Sequence, residues 1–357
     1  MTTTLGVEEE FVLLDPSTLT PVPAAAQLLE LVATGPRLPG SVTAEFFASQ
    51  IEYATPVCET AQQAQDALVF FRQVLRRSAN QLGVVAAGVG TPFRPDPQAQ
   101  LSPGPRYARI ASAFGEVARE HQINGLHIHV GVPARDAAVT AVNEMRPWLP
   151  VLLALSVNSP FWDGRDTGYS SWRTIHSRRW TTTGIPPSFL DACDYDRRTA
   201  ALSGIGGTED IRTLNWVARP SSRYPTVEIR ACDAQLDPDV SVALACLVRG
   251  LVTSGQAASA LSVAPAHEVL DAAFWHAAKN GLSGTLVDPA DGALRPAGEI
   301  VESVIDAAMP GLNAHGDVKR VEETVSRILS NGTGAMRQRN AFAAGEPDVA
   351  RLFAAER

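Results

Sequence analysis

The chain is poor in cysteine: its 357 residues hold four, Cys58, Cys193, Cys232 and Cys246, and no two of them form a Cys-x-x-Cys pair. That scarcity and spacing argue against a cysteine-built zinc site or a disulfide framework, and buried, reduced thiols are expected. Positive charge is also in short supply. Lys and Arg number 30 against 38 Asp and Glu, for a formal net charge of -8 and a pI near 5.4. A nonspecific nucleic-acid binder would carry a basic face, so no nucleic-acid partner is expected. Long apolar runs are missing as well: the best candidate, residues 148–157, is interrupted by Pro150 and followed by Asn158, which predicts no membrane span. Met1-Thr-Thr-Thr-Leu lacks the basic n-region of a secretory signal, so a cytoplasmic location is expected.

Nucleotide-binding signatures are absent too. There is no Gly-x-x-x-x-Gly-Lys-Ser/Thr, and the Gly204-Ile-Gly-Gly run follows a helix pattern, not a strand. Any phosphate bound here would have to be neutralised by cations and arginines, for which Arg173, Arg178, Arg179, Arg337 and Arg339 are candidates.

What is present is an ordinary globular composition, 45% hydrophobic and 19% charged. Strands are expected over 5–15, 50–57, 84–90 and 124–133, and over 213–218 and 226–232, the last two paired about a turn at Arg219-Pro220. Helices are expected over 23–32, 60–82 with Thr60 as N-cap and Gly83 beyond the end, 106–121, 134–156 with a kink at Pro147 or Pro150, 240–261, 268–279, 298–309, 317–329 and 348–355. Residues 159–187, with Trp162, Trp172 and Trp180 among several Arg and His, lack periodicity and read as a binding loop or lid. No repeat or low-complexity linker divides the chain, so strands from both halves are expected in one sheet and one composite domain over 1–357.

Polar residues in these strands carry the chemistry. Residues two apart on a strand share a face, so Glu8 and Glu10 point one way and Glu9 the other. Two carboxylates on one face repel unless a proton or cation lies between them, and hard oxygens suit magnesium or manganese. Glu52 sits in an otherwise apolar strand with Glu45 seven residues upstream; a buried acid needs a metal or an arginine partner. His127 and His129 share a face, open to three readings: a zinc site, hydrogen-bonding core histidines, or groups facing phosphate or metal. Glu228 and Arg230 repeat the same-face pattern, as a salt bridge or as part of a polar site.

Gly6-Val-Glu-Glu-Glu-Phe, Ile51-Glu-Tyr-Ala-Thr-Pro-Val, Gly125-Leu-His-Ile-His-Val-Gly and Val227-Glu-Ile-Arg-Ala-Cys-Asp together resemble the glutamate–cysteine ligase type 2 family, the YbdK-like carboxylate–amine ligases. Asn280-Gly-Leu-Ser-Gly-Thr-Leu-Val-Asp-Pro and Gly332-Thr-Gly-Ala-Met-Arg-Gln-Arg extend the resemblance across nearly the whole chain. It implies an α+β fold related to the glutamine synthetase catalytic domain: a curved, mostly antiparallel sheet forming a funnel, with helices on its outer face. It implies an ATP-dependent carbon–nitrogen ligase that uses Mg2+, or Mn2+, to form an acyl phosphate from a small carboxylate that an amine then attacks. Glutamate plus cysteine is the default pair, and a homodimer or larger homo-oligomer is expected. By position, Glu8, Glu10, Glu52 and Glu228 become metal ligands and His127, Arg173 and Arg230 catalytic groups. His129 and Arg337 become nucleotide contacts and Glu45 a substrate contact; of the other arginine candidates, Arg339 is expected at the nucleotide and Arg178 at the substrate. The chain departs from many relatives at Met336, where they carry Asp. Two other functions fit the residues: a metal-dependent amide hydrolase using His127 and His129, and a noncatalytic binder of ATP or amino acids.

Overall fold

The computed structural model describes residues 3–255 and 265–355. Its organising element is a sheet built from β1 (Leu5–Leu14), β2 (Ser41–Ala44), β3 (Gln50–Ala54), β4 (Val85–Ala87), β5 (Gly125–Gly131), β8 (Ala218–Pro220) and β9 (Thr226–Asp233). The order across it is β2-β3-β1-β5-β9-β8, with β4 paired to the far end of β1. Every pairing is antiparallel. Strands from both halves of the chain therefore do share one sheet. β6 (Phe161–Trp162) and β7 (Arg165–Asp166) form a separate small hairpin.

Alternation in the strands sorts the two faces. Val7, Phe11, Ile51, Tyr53, Ile128, Val227 and Ile229 all lie in the main hydrophobic core behind the sheet. The helix Ala61–Leu82 closes that core with Ala64, Leu68, Phe71 and Leu75 at helical spacing. Phe71 stacks on Tyr53 with centroids 4.0 Å apart, and burying an aromatic of this size stabilises by about 1.5–3 kcal/mol. The helix ends are set by the expected residues. Thr60 and Gln63 form a capping box, and Gly83 takes the left-handed conformation at φ 68°.

The helix Pro238–Gly255 corrects the expectation about apolar runs: it has 18 residues at a mean hydropathy of 1.2, and 78% of that window is buried inside the protein. It is a core helix, not one left facing outward. Its close neighbour is the helix Ala297–His315, and the approach is possible because Gly250 and Gly311 face each other. A Cβ on Gly311 would lie 2.2 Å from the Gly250 carbonyl oxygen. The rest of the expected 240–261 helix lies outside the described residues.

Other differences have local causes. The expected 106–121 helix is two helices, Pro105–Phe114 and Glu116–Arg119, split where Gly115 takes φ 55°. Arg219 and Pro220 are strand residues, and the turn is 221–225; a proline is tolerated because β8 is the edge strand. Within 159–187 the β6–β7 hairpin and a helix at Trp172–Ser177, capped by Ser171, give order that the aperiodic sequence did not suggest. The helices Ala192–Gly204 and Gly334–Ala344 and a hairpin of Thr285–Val287 with Leu294–Pro296 complete the fold.

Candidate active site

The face opposite the core is polar, and strand register assembles it. Glu10 lies opposite Glu52, and Glu8 opposite both Ala54 and His127. On the other side of β5, His129 lies opposite Glu228, which lies opposite Arg219. A bulge between Leu126 and Ile128 sets two β9 residues against one of β5. It returns Ala231 and Cys232 to the core while Arg230 stays with Glu228 on the polar face. The result is a cavity of about 400 Å³ lined by Glu8, Glu10, Glu45, Glu52, His127, His129, Arg173, Glu228 and Arg230. Nine of the thirteen side chains proposed from the sequence therefore meet in one place.

The four others do not. Arg179 pairs with Glu120 and donates to the His176 carbonyl. Arg178 is held outward by Asp271 of the helix His267–Asn280, at 3.2 Å for one of its two bonds. Arg339 is committed to Asp166, at 2.8 and 3.0 Å, and to the Tyr169 carbonyl. Arg337 lines a separate cavity of about 390 Å³ with Asp237, Asp239 and Arg327. Met336 is exposed beside Gly332. The sequence departure at Met336 thus lies outside the set of residues that line the polar cavity.

The neighbouring acids on β1 are in opposite circumstances. Glu9, on the core side, receives two N–H bonds from Arg72 at 2.8 and 2.9 Å and one from the Ser241 hydroxyl at 2.5 Å. It is a structural ion pair tying β1 to the helix Ala61–Leu82. Glu10 receives the Gly125 N–H at 2.5 Å and has His127 Nε2 at 3.7 Å. Burial and then the charge of Glu45 push its carboxyl up to about 8, against the pull of Gly125, Arg173 and Arg230. Burial, followed by Glu8, Glu45 and Glu10, drives Glu52 well above the usual range, and burial raises Glu45. Glu10, Glu45 and Glu52 can each bring an oxygen within 4.8 Å of the others. Three carboxylates at that spacing hold protons or a hard cation.

The rest of the face is balanced by histidine and arginine. Glu8 lies 3.2 Å from His127 Nδ1 and 3.3 Å from His129 Nε2. Burial would raise its carboxyl, but the two imidazoles outweigh this and hold it low. Burial lowers His127 to about 4, helped by Arg230, so it is neutral. Burial opposes protonation of His129 too, but Glu8 and Glu228 prevail and raise it. Glu228 is engaged by Arg219 at 2.8 and 3.1 Å and by Arg230 at 2.5 Å. Those arginines overcome burial and hold it well below the usual range. The donor chemistry fits magnesium or manganese best at Glu10, Glu45 and Glu52. Glu8 with Glu52 and His127, and Glu8 with His129 and Glu228, are mixed oxygen–nitrogen sets.

Arg219 and His121 complete the walls and Asp233 supports them from behind, none of them singled out from the sequence. Arg219 pairs with Glu228 only once β8 lies beside β9, which its reading as a turn concealed. Asp233, the last residue of the β9 motif, is fully buried and accepts bonds from the Asn158 amide and the Ser159 and Ser171 hydroxyls at 2.7–2.8 Å. It thereby anchors the segment that delivers Arg173, whose guanidinium stands 3.8 Å from it. His121 also lines the cavity and accepts the Trp180 indole N–H on Nδ1 at 2.9 Å.

The chain and its fold have counterparts among known proteins. Residues 4–355 match the model of the glutamate–cysteine ligase family 2. A protein of Saccharopolyspora erythraea provisionally named glutamate–cysteine ligase 2-2 is 41% identical over 99% of this chain and 92% of its own length. One of Salinispora arenicola, provisionally named glutamate–cysteine ligase 2, is 39% identical over 97% and 92%. Among solved structures, glutamate–cysteine ligase from Francisella tularensis in complex with AMP superposes with a TM-score of 0.73 at 13% identity, over 99% of this chain and 88% of that one. A bifunctional glutathione synthetase from Pasteurella multocida gives 0.72 at 15%, over 98% of this chain and 52% of that one. These likenesses show a shared α+β fold. With the family match over almost the whole length and relatives near 40% identity, the chain belongs to the glutamate–cysteine ligase family 2.

Proposed function

We propose that this chain is an ATP-dependent carboxylate–amine ligase working through an acyl phosphate. The observation that carries the reading is the row Glu10–Glu52 and Glu8–His127 beside Glu45, with Glu10 and His127 buried and the other acids half-buried, acids on one face that receive no arginine hydrogen bond among the described residues. Magnesium or manganese held by Glu10, Glu45 and Glu52, and by Glu8 with its imidazole neighbours, would supply charge neutralisation for phosphates. In the first step a substrate carboxylate oxygen attacks the γ-phosphorus and ADP leaves. In the second the neutral amine attacks the acyl carbon, and phosphate leaves with that oxygen and with the proton the nitrogen sheds.

The chain's own groups fit these needs. Arg230, held by Glu228, and Arg173, held by the Arg230 carbonyl and Asp233, line the cavity and would stabilise the charge that builds on a transferring phosphoryl group. Neutral His127 lies 3.4 Å from Arg230 Nη1 and is placed to orient it. His129, fixed by Thr226 Oγ1 at 2.9 Å and with its protonated form favoured by Glu8 and Glu228, is placed to meet nucleotide phosphates. Because the sheet takes strands from residue 5 to residue 233, the whole chain is proposed to act as one catalytic unit. Glutamate and cysteine are the first pair to assay. ADP release should require magnesium, an acid and an amine together, and Glu52→Gln should abolish it while the fold persists. ADP release by Glu52→Gln at the wild-type rate would remove that residue from the site.

A further inference from the structure

The motif Gly332-Thr-Gly-Ala-Met-Arg-Gln-Arg supplies none of the cavity wall, yet its helix, Gly334–Ala344, is bonded to the segment that leads into Arg173. Gln338, 2% exposed, donates its amide to the Asn158 carbonyl at 2.9 Å and to Asn158 Oδ1 at 2.7 Å. Ala335 N donates to the Val157 carbonyl at 3.0 Å. Gly334 permits this approach, because a Cβ there would stand 2.1 Å from Asn158 Oδ1. One residue on, Arg339 holds a later part of the same segment through Asp166, the Tyr169 carbonyl and, at 3.2 Å, Ser170 Oγ.

The segment 158–171 closes on itself at its base. Ser159 N donates to the Ser170 carbonyl at 3.2 Å, and Trp172 N to the Ser159 carbonyl at 2.8 Å. Asn158 N and the hydroxyls of Ser159 and Ser171 converge on the buried carboxylate of Asp233. Ser159 Oγ in turn accepts the Arg173 N–H at 3.1 Å. A run of hydrogen bonds between groups packed against one another thus joins Gln338 to Asn158, Asp233, Ser159 and the backbone of Arg173, and a fully bonded buried network of this kind is rigid. The helix His267–Asn280 holds the base from another side, its Ala278 carbonyl accepting Ser171 N at 2.8 Å. Loss of one contact to the helix Gly334–Ala344 therefore loosens the segment without releasing it.

Arg173 depends on that support because its side chain is weakly held. Nη2 donates to the Arg230 carbonyl at 3.2 Å, Nη1 stands 3.8 Å from Asp233, and Nε is buried with no hydrogen-bond partner among the described residues. The place of the guanidinium is set by the place of its backbone, and a shift of about 1 Å in a reacting arrangement can cost about 10²-fold in rate.

Resting on the ligase reading above, we infer that Gln338 and Arg339 are positioning residues of that reaction, fixing Arg173 in the cavity by clamping residues 158–171. Arg339, expected at the nucleotide, acts from a distance instead.

Gln338→Leu removes both donors to Asn158, and Arg339→Gln, at a half-buried position, removes the paired bonds to Asp166. ADP release is followed with glutamate, cysteine, ATP and magnesium, and each kcat is taken per folded enzyme, measured by circular dichroism at the assay temperature. Either substitution should lower kcat tenfold or more and leave KM for ATP and for glutamate within twofold, the pattern of an interaction made only in the transition state. Asn340→Ala, exposed on the same helix, should change neither. In an Arg173→Lys background, where the guanidinium is already gone, either substitution should cost twofold or less, since residues acting through one group are not additive. Should Gln338→Leu fail to fold, Arg339→Gln carries the test. Unchanged kcat in both variants, an equal loss in Asn340→Ala, or the same tenfold loss in the Arg173→Lys background overturns the inference while the wild-type chain still turns over. A wild-type chain that releases no ADP overturns the ligase reading and this inference with it.

Discussion

Glu9 and Glu52 are the same residue type on adjacent strands, and replacing each by Gln should have opposite consequences. Glu9→Gln removes the charge that Arg72 faces from 2.8 Å with almost no exposure on either side, and breaking a buried ion pair from one side costs about 3–5 kcal/mol. At about 2.1 cal/mol/K per residue the unfolding entropy of 357 residues is roughly 0.75 kcal/mol/K, so the midpoint should fall by about 4–7 °C. Glu52→Gln takes a carboxyl out of a cluster with Glu8, Glu10 and Glu45 that already disfavours its charge. In metal-free buffer near neutral pH its midpoint should stay level or rise, while ligase activity is lost. Thermal unfolding by circular dichroism, with chelator throughout, compares the two. A fall for Glu52→Gln as large as that for Glu9→Gln would show that Glu52 is a structural group, and the site assignment would fail.

Three further outcomes follow from the same geometry. Magnesium should raise the unfolding midpoint of the wild-type chain and leave Glu52→Gln nearly unmoved; an equal rise in both would place the cation elsewhere. Without metal, stability should fall as pH rises from about 6.5 to about 8, above the range in which the lowered imidazoles of His121, His127 and His176 push stability the other way: Glu10 binds its proton more tightly in the fold than in the unfolded chain, so the fold holds the extra proton up to that range and loses the advantage as it leaves. Glu228, shifted the other way, contributes stability that is already complete above its ordinary range and does not cancel the slope; a midpoint flat or rising over that window would refute the picture. Gly125→Ala would put a Cβ 2.5 Å from Arg173 Nη2 and 3.1 Å from His127 Nε2. It should cut kcat at least tenfold for about 1–3 kcal/mol of stability, the usual cost of overpacking, and unchanged kcat would show that Arg173 is not needed where it stands.

Much of the site was legible because period two on a strand is a strict rule. It put Glu8 and Glu10 on one face and Glu9 on the other, and it placed His127 with His129. It could not supply pairing partners. Glu52 meets Glu10, and Arg219 meets Glu228, only through the register between strands far apart in sequence, and Arg219 next to Pro220 read as a turn. Arg178, Arg337 and Arg339 show the converse: an arginine near a motif says nothing of which acid it will reach, and Asp271, Asp166 and a second cavity decided their places. The apolar pattern of Pro238–Gly255 was underestimated because Asp239 and Arg249 interrupt it. The fold buries Arg249 fully, against Asp317 at 2.5 Å.

The most direct test of the ligase account follows an oxygen atom. Glutamate labelled with oxygen-18 in its γ-carboxylate is incubated with the chain, ATP, magnesium and the acceptor amine that gives the highest rate, and the released phosphate is examined by mass spectrometry. An acyl phosphate requires one labelled oxygen in each phosphate formed, because the carboxylate oxygen that attacks phosphorus leaves with it. ADP release coupled to amide formation with unlabelled phosphate would contradict the account.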